Sequence, residues 1–308
     1  MSPQALSSLR HEITVAIPTF GRDQVLIDTL CAVLALDPPP AEILVLDQTP
    51  VHTTAVVDLL GSWNMGGRIR WLRLPKPSIP QAMNQGLLAA STDIILFLDD
   101  DIRPEPDLLS AHLSAHQDGA TALVAGRVIQ PWQEGVDFDA ATEFHFASLR
   151  PGWMDEFIGC NFSIRRDVAL ALGGFDENFV RVAYRFEAEF AYRLRRAGHR
   201  IYFEPKACLH HLKVTTGGTR SFGEHLTTFK PDHAVGAYYY CLRTWTGWRG
   251  LVRFLGLVPQ SVATRHHLRQ PWWIPVTLLA QLLAMAWALG LAWRGPRSLP
   301  IPASVTRR

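Results

Sequence analysis

Apolar runs alternate with amphipathic stretches through the first half of the chain. Short apolar runs at 13–20, 41–50, 69–75 and 93–100 predict strands. Apolar residues recur at helical spacing at 22–36, 53–63 and 79–91, which predicts helices between those strands. Continuous apolar strands separated by helices indicate an α/β fold: a mainly parallel sheet sandwiched by helices.

The pattern changes near the C-terminus. Residues 272–293 carry no charge, include several tryptophans and are flanked by arginines, so they are long enough for a transmembrane helix. Thr277 and Gln281 interrupt the apolar run, which leaves a buried core helix as the alternative. Upstream, 248–258 has the pattern of a surface-lying helix. We therefore predict two parts: a catalytic domain at 1–230 and a helical, apolar and basic membrane-associated region at 231–308.

Composition narrows the possible partners. The 308 residues carry a formal net charge of +2, which argues against a nucleic-acid partner. The charge is uneven, because no acidic residue follows Asp232. The four cysteines are far apart in sequence and predict neither a zinc ribbon nor a disulfide framework.

Polar residues follow several of the predicted strands directly. Pro18 and Thr19 end the first strand, Asp47 ends the second, and three aspartates at 99–101 end the fourth. In parallel α/β sheets, ligands bind at the carboxyl ends of the strands. These residues are therefore expected to lie along one rim.

The three aspartates are predicted to do different work. Successive strand residues point to opposite faces, so Asp99 and Asp101 share a side and Asp100 opposes them. Two carboxylates on one side suit a hard cation, Mg²⁺ or Mn²⁺. Asp100 is then expected to meet a ribose or a backbone amide. The alternative is that Asp101 only caps a helix begun by "RPEPDLL".

A second acidic cluster lies in "RFEAEFAYRLRRAG". On a helix, Glu187 shares a face with apolar residues, whereas Glu189 pairs with Arg193 on what is expected to be a solvated face. A desolvated carboxylate has a raised pKa and can act as a general base. Glu187 is therefore the candidate base, unless Arg181 or Arg185 holds it.

Two further candidates follow the predicted strand near residue 205. His210 or His211 can serve as a metal ligand or a phosphate contact, although a structural histidine is the more common case. The Gly/Thr-rich loop 213–220 contains Lys213 and Arg220. It can close over a diphosphate or remain an ordinary surface loop.

Together, several motifs resemble the family 2 glycosyltransferases of the GT-A fold, over about residues 12 to 215. The motifs are "VAIPTFGR", "LVLDQTP", "AMNQG", "FLDDDIRP", "GCNFSIRRDVALALGGFDENF" and "FEAEFAYRLRRAGHRIYFEP". The resemblance implies that Pro18, Thr19, Arg22 and Asp47 lie around the nucleotide base and that Asn84 lies near the diphosphate. It also implies that the three aspartates bind the donor ribose and the metal, and we assign Asp99 and Asp100 to the donor and Asp99 and Asp101 to the metal. Glu187 falls at the position of the base, and His211 is added as a metal candidate from its place after a strand. The chain departs from the family at Phe186, where an acidic residue is usual, and Glu189 is the fallback base.

The resemblance also implies a reaction. It predicts a metal-dependent inverting transfer, with Mn²⁺ or Mg²⁺, from a nucleotide-diphosphate sugar, expected to be UDP-linked. The acceptor is expected to be a hydroxyl of a lipid-linked glycan or of a growing polysaccharide, at the cytoplasmic face of the membrane. The alternatives are a non-catalytic sugar-nucleotide-binding protein and a nucleotidyl or phosphosugar transferase.

Overall fold

A mixed sheet of nine strands organises the chain in a computed structural model, which describes residues 12–117, 119–136, 145–224 and 226–301. The order is β3-β2-β1-β4-β8-β6-β9-β5, and β7 pairs with β9. The strands are β1 Ile13–Thr19, β2 Glu42–Asp47, β3 Arg70–Arg73, β4 Ile94–Leu98, β5 Ile102–Pro104, β6 Leu123–Ile129, β7 Gly152–Met154, β8 Asn161–Arg165 and β9 Ile201–His211.

Helices cover both faces of the sheet. They are α1 Gln24–Leu34, α2 Thr54–Met65, α3 Ile79–Ala89, α4 Leu108–Ala115, α5 Arg166–Ala171, α6 Phe186–Arg196, α7 Val235–Arg243, α8 Gly247–Val262, α9 Arg265–Arg269 and α10 Ile274–Arg294. The predicted α/β class is confirmed. The parallel arrangement holds for β3, β2, β1 and β4, whereas β8 enters antiparallel between β4 and β6.

Strand alternation builds two apolar layers. In β4, Ile95 and Phe97 enter the layer under α3, α6 and α7, whereas Leu96 and Leu98 enter the layer under α1 and α2. Both faces of the strand are therefore buried, which explains why its sequence is continuously apolar. The result is a rigid strand whose carboxyl end holds the three aspartates.

The segment after those aspartates differs from the helix-capping alternative. Ile102–Pro104 form β5, antiparallel to β9, and the following helix begins only at Leu108. Asp101 accepts a hydrogen bond from the backbone N–H of Val214, 3.0 Å away. The alternative of a helix cap at Asp101 is therefore wrong.

The C-terminal region shares the core of the first part. Tyr238 and Tyr239 of α7 are fully buried, and Ala284 and Ala288 of α10 belong to the same apolar layer as β4. The α10 helix meets the length and hydropathy criteria for a membrane span, but one of its faces is packed against α7. Residue 230 therefore does not separate two independent cores.

Candidate active site

A cavity of about 160 Å³ opens at the carboxyl ends of β1 and β4 and beside the end of β9. Residues from all three strand ends line it, because β9, parallel to β6, runs in the same direction as β4 and ends at the same edge. The predicted site residues among them are Pro18, Thr19, Arg22, Asp99, Asp100, Asp101 and His211.

Asp99, Asp101 and His211 form one cluster in this cavity. Nε2 of His211 lies 3.2 Å from Asp101 Oδ1 and 3.7 Å from Asp99 Oδ2. Burial opposes ionisation of Asp101, but the hydrogen bond and charge of His211 outweigh it and lower the pKa of that carboxyl. The Asp99 side chain is 41% exposed, yet the surrounding protein displaces enough water to raise its pKa against the opposing charge of His211.

Cys160 completes a potential ligand set with Asp99 and His211, whose ligand atoms lie within 4.8 Å of one another. Burial raises the pKa of the Cys160 thiol well above its usual value, which disfavours the thiolate form that a metal ligand needs. Hard cations prefer oxygen ligands. The carboxylate of Asp101, beside His211, would therefore suit a hard cation better than Cys160 as the third ligand.

Asp100 points away from this cluster. Thr19 Oγ1 donates to Asp100 Oδ2 at 2.6 Å, and Arg22 Nε lies 3.8 Å from Asp100 Oδ1. Burial raises the pKa of Asp100 to about 7, even though the hydrogen bond from Thr19 and the charge of Arg22 lower it. Its contact with a ribose stays a prediction.

Arg22 supplies a buried cation to the pocket. Its side chain is only 6% exposed, and its Nε and Nη1 make no hydrogen bond within the described residues. The loop at 213–220 lies over it: the Gly218 N–H donates to the Phe20 carbonyl at 2.7 Å. Lys213 and Arg220 of the same loop line the cavity. These three cations face the cavity, and Arg22 is also paired there with Asp100 and, through Nη2 at 3.5 Å, with Asp101.

Two predicted donor contacts lie elsewhere. Asp47 is fully buried and accepts hydrogen bonds from the Thr49 N–H at 2.8 Å and Trp71 Nε1 at 2.8 Å, with His52 Nε2 at 2.9 Å. Its carboxylate holds the end of β2 and is not among the residues that line the cavity, and its contact with the nucleotide base stays a prediction.

Asn84 is also committed to the protein. Its amide exchanges two hydrogen bonds with the backbone of Phe175 and donates to Glu177 at 3.1 Å. It is fully buried on the side of α3 that faces the 175–177 segment. Ile79 and Met83 of the same helix line the cavity. The approach of Asn84 to the diphosphate stays a prediction.

The two glutamates of α6 have opposite environments. Glu187 Oε2 is buried with no hydrogen-bond partner among the described residues, and burial raises the pKa of its carboxyl to about 7. The positive charge of Arg185 opposes that rise, and the negative charge of Asp99 adds to it. Glu187 lines a second pocket, with Glu156, Tyr184 and Arg185, and the charge of Asp99 in the donor cavity still acts on its carboxyl.

Glu189 lies in the core and is 1% exposed. Arg193 Nε donates to both its oxygens at 2.9 Å, which confirms the predicted pair, and Arg243 of α7 adds a contact at 3.0 Å. The predicted solvated face is wrong, because α7 covers it. A carboxylate gripped by two guanidinium groups cannot serve as the fallback base.

Sequence comparison decides the family. Residues 14–173, more than half of the chain, match the family described as Glycosyl transferase family 2. The chain belongs to this family. The match ends before α6, so it covers the aspartates but not Glu187.

Curated relatives cover only part of this family 2 chain. A pre-mycofactocin glycosyltransferase of Mycobacterium tuberculosis is 33% identical over 144 residues, covering 42% of this chain and 29% of that protein. A glucosyl-dolichyl phosphate glucuronosyltransferase of Haloferax volcanii is 24% identical over 153 residues, covering 43% and 47%. The chain thus aligns with less than half the length of either relative.

Solved structures establish the GT-A fold. GalNAc-T7, solved with UDP, GalNAc and Mn²⁺, matches with a TM-score of 0.58 and 15% identity, covering 79% of this chain and 52% of that one. The mannosyltransferase PcManGT of Pyrobaculum calidifontis, solved with GDP-Man and Mn²⁺, matches at 0.56 and 19%, covering 94% and 80%.

The structure adds one cation that sequence reasoning did not place in this family 2 pocket. Arg181 lines the cavity from a left-handed backbone conformation, with φ of 61°. Its Nε lies 3.5 Å from Asp232, and its guanidinium lies over the ring of Trp287 on α10. No local pattern signals this position, because both partners come from distant sequence.

Proposed function

We propose that this chain is a metal-dependent inverting glycosyltransferase. It would move a sugar from a nucleotide-diphosphate donor, UDP-linked in our proposal, to a hydroxyl of a lipid-linked or polysaccharide acceptor. The observation that carries this is Glu187: one of its carboxylate oxygens is buried without a partner among the described residues, the pKa of the carboxyl is raised to about 7, and the charge of Asp99 from the carboxylate–histidine cluster adds to that rise. General bases work best when their pKa lies near the operating pH.

Different residues would carry out the proton transfer and stabilise the leaving group. Glu187 takes the proton of the acceptor hydroxyl as that oxygen bonds to the anomeric carbon, and the bond from this carbon to the diphosphate breaks. Arg22, Lys213 and Arg220 offer positive charge to the departing diphosphate. Direct attack by the acceptor, with no sugar–enzyme intermediate, inverts the anomeric centre.

The donor set of Asp99, Asp101 and His211 fits a hard divalent cation. Two carboxylates and an imidazole face one another there, and His211 Nδ1 is buried without a hydrogen-bond partner in the described structure. Bound at these residues, Mn²⁺ or Mg²⁺ would neutralise charge on the diphosphate. The Mn²⁺ present with two structural neighbours supports this choice.

The acceptor and location rest on two further observations. The Haloferax volcanii relative is named for a dolichyl phosphate substrate, which supports a lipid-linked acceptor here. The apolar α10 supports a place at the membrane surface, which we assign to the cytoplasmic face. A role in polysaccharide biosynthesis remains compatible with both.

A screen of nucleotide sugars tests the proposal. Thermal stabilisation and donor hydrolysis would be measured with and without Mn²⁺, for wild type, Asp99→Ala and Glu187→Gln. We expect Asp99→Ala to lose metal-dependent donor binding, and Glu187→Gln to keep binding and lose transfer. Binding without any turnover in wild type would favour the non-catalytic alternative. Release of a nucleoside monophosphate or a sugar phosphate, instead of the nucleoside diphosphate, would favour a phosphosugar or nucleotidyl transferase.

A further inference from the structure

The outward face of α10 is apolar along the whole helix. Exposed positions recur every three or four residues, and Leu282 and Trp293 are 59% and 92% exposed. The opposite face is buried, with Ala284 at its centre. We call the exposed set the apolar strip: Pro275, Leu279, Leu282, Ala286, Leu289 and Trp293.

Neighbouring helices extend this surface. In α8, which packs against α10, Trp248 and Val252 are 72% and 59% exposed. Leu268 of α9 and Trp272 just before α10 are 84% and 65% exposed. So many large apolar side chains on adjacent helices mark an interaction surface.

The charges around the apolar strip are of one sign. Arg249 and Arg253 on α8, Arg265 and Arg269 on α9, and Arg294 at the end of α10 are all exposed. No acidic residue follows Asp232 in the sequence. A second copy of the chain would bring arginines against arginines, which is unfavourable. Apolar residues, tryptophans and arginines together suit the interface of an anionic membrane.

The packing of α10 excludes a bilayer span. At mid-helix, Gln281 accepts a hydrogen bond from Tyr238 at 2.9 Å, and at the end the Gly295 carbonyl accepts one from Asn178 at 2.7 Å. Between them, Trp287 lies 5.8 Å from the guanidinium of Arg181, which lines the donor cavity. A spanning α10 would carry the ionised cavity into the hydrocarbon, where charged groups are very unfavourable.

We propose that α8, α9 and α10 lie in the plane of an anionic membrane surface, with the apolar strip inserted and the arginines at the headgroups. This arrangement adds the membrane partner to the proposed function. It depends on that function only for the reason why the protein would bind a membrane. The donor cavity then stays in water close to the lipid surface.

Flotation with preformed vesicles tests this proposal on the full chain. Vesicles of phosphatidylcholine alone would be compared with vesicles that also contain phosphatidylserine, at low and high salt. We expect binding only to the anionic vesicles, release by high salt, and at least tenfold weaker binding for Leu282→Glu combined with Leu289→Glu. Met65→Glu is the control, because Met65 is 85% exposed on α2 and lies outside the surface.

Three results would overturn the in-plane arrangement. The first is equal vesicle binding by wild type and by the double variant Leu282→Glu, Leu289→Glu. The second is membrane-bound protein that neither high salt nor alkaline extraction releases. The third is a wild-type dimer that binds no vesicles and that the double variant converts to monomers. Mn²⁺-dependent donor hydrolysis in solution, measured on the same samples, separates this proposal from the proposed function. Hydrolysis without vesicle binding would reject only the membrane contact.

Discussion

At the scale of single residues, Glu187 and Glu189 are separated by one position and have different environments. Helical spacing places Glu187 and Glu189 on different faces, and the structure agrees. Sequence reasoning could not find that Glu189 is buried, because Arg243 reaches it from 54 residues away in the chain. The local pattern therefore identified the candidate base but not the core ion pair.

Matched substitutions distinguish these glutamates. Glu187→Gln should lower the transfer rate by roughly 100-fold to 10,000-fold, because the amide cannot accept the proton, with donor affinity and stability nearly unchanged. Glu189→Gln should lower the free energy of unfolding by about 3 kcal/mol, since it leaves buried guanidinium groups without their counter-charge. Measurements of turnover, donor binding and urea unfolding on both variants check these expectations. Full activity of Glu187→Gln would reject Glu187 as the base.

The raised pKa of Glu187 predicts a pH dependence. A base must be ionised to act, so the turnover rate at saturating donor and metal should rise through about pH 7 and level off above it. Below that pH the rate should fall about tenfold per pH unit. The residual rate of Glu187→Gln serves as the control and should lack this limb. If the rate of Glu187→Gln still rose through about pH 7, the titrating group would be a residue other than Glu187.

At the scale of elements, the loop over Arg22 depends on one glycine. Gly217 has φ of 72°, and a Cβ there would lie 2.5 Å from the Gly21 carbonyl oxygen and 2.7 Å from Arg22 Cδ. Gly223 has a similar φ of 76° but open space around it. A side chain at either position would carry the cost of a left-handed backbone, but only at Gly217 would it also collide with neighbouring atoms.

Gly217→Ala should therefore displace the loop and Arg22, whereas Gly223→Ala should not. Both substitutions should lower stability by about 1 kcal/mol through the left-handed backbone, but only Gly217→Ala should raise the KM for the donor, by about tenfold or more. Steady-state kinetics and thermal unfolding check this pair. Equal KM values would show that the loop contact does not shape the donor pocket.

Prediction of the elements succeeded where contacts are local. The four parallel strands and their helices up to Ala89 begin and end within about three residues of the predicted bounds, because period and turn residues specify them. Two short strands were not predicted: β5 and β7 have three residues each and depend on pairing with β9, about 100 and 50 residues later. The protein partners of Asn84 and Asp47 could not be predicted for the same reason, since tertiary packing sets them.

At the scale of the whole molecule, the apolar tail is part of the catalytic fold. Tyr239 of α7 donates to the buried Asp176 at 2.7 Å, and Arg243 lies 3.3 Å from the same carboxylate. The segment after α10 also returns to the core, where the Arg297 N–H donates to Asp176 at 2.9 Å. Composition alone predicted a separate membrane region, because it registers that α10 is apolar but not that one of its faces packs on the core.

A fragment ending at residue 230 should consequently fail to fold. It would leave Asp176 and Glu189 buried without their partners on α7 and expose the apolar layer that α7 and α10 cover. We expect it to aggregate, whereas a chain ending at 301 keeps every described contact and should unfold like the full chain. Light scattering and urea unfolding check both. A monomeric 1–230 fragment with a cooperative transition would show that the C-terminal helices are a separable domain.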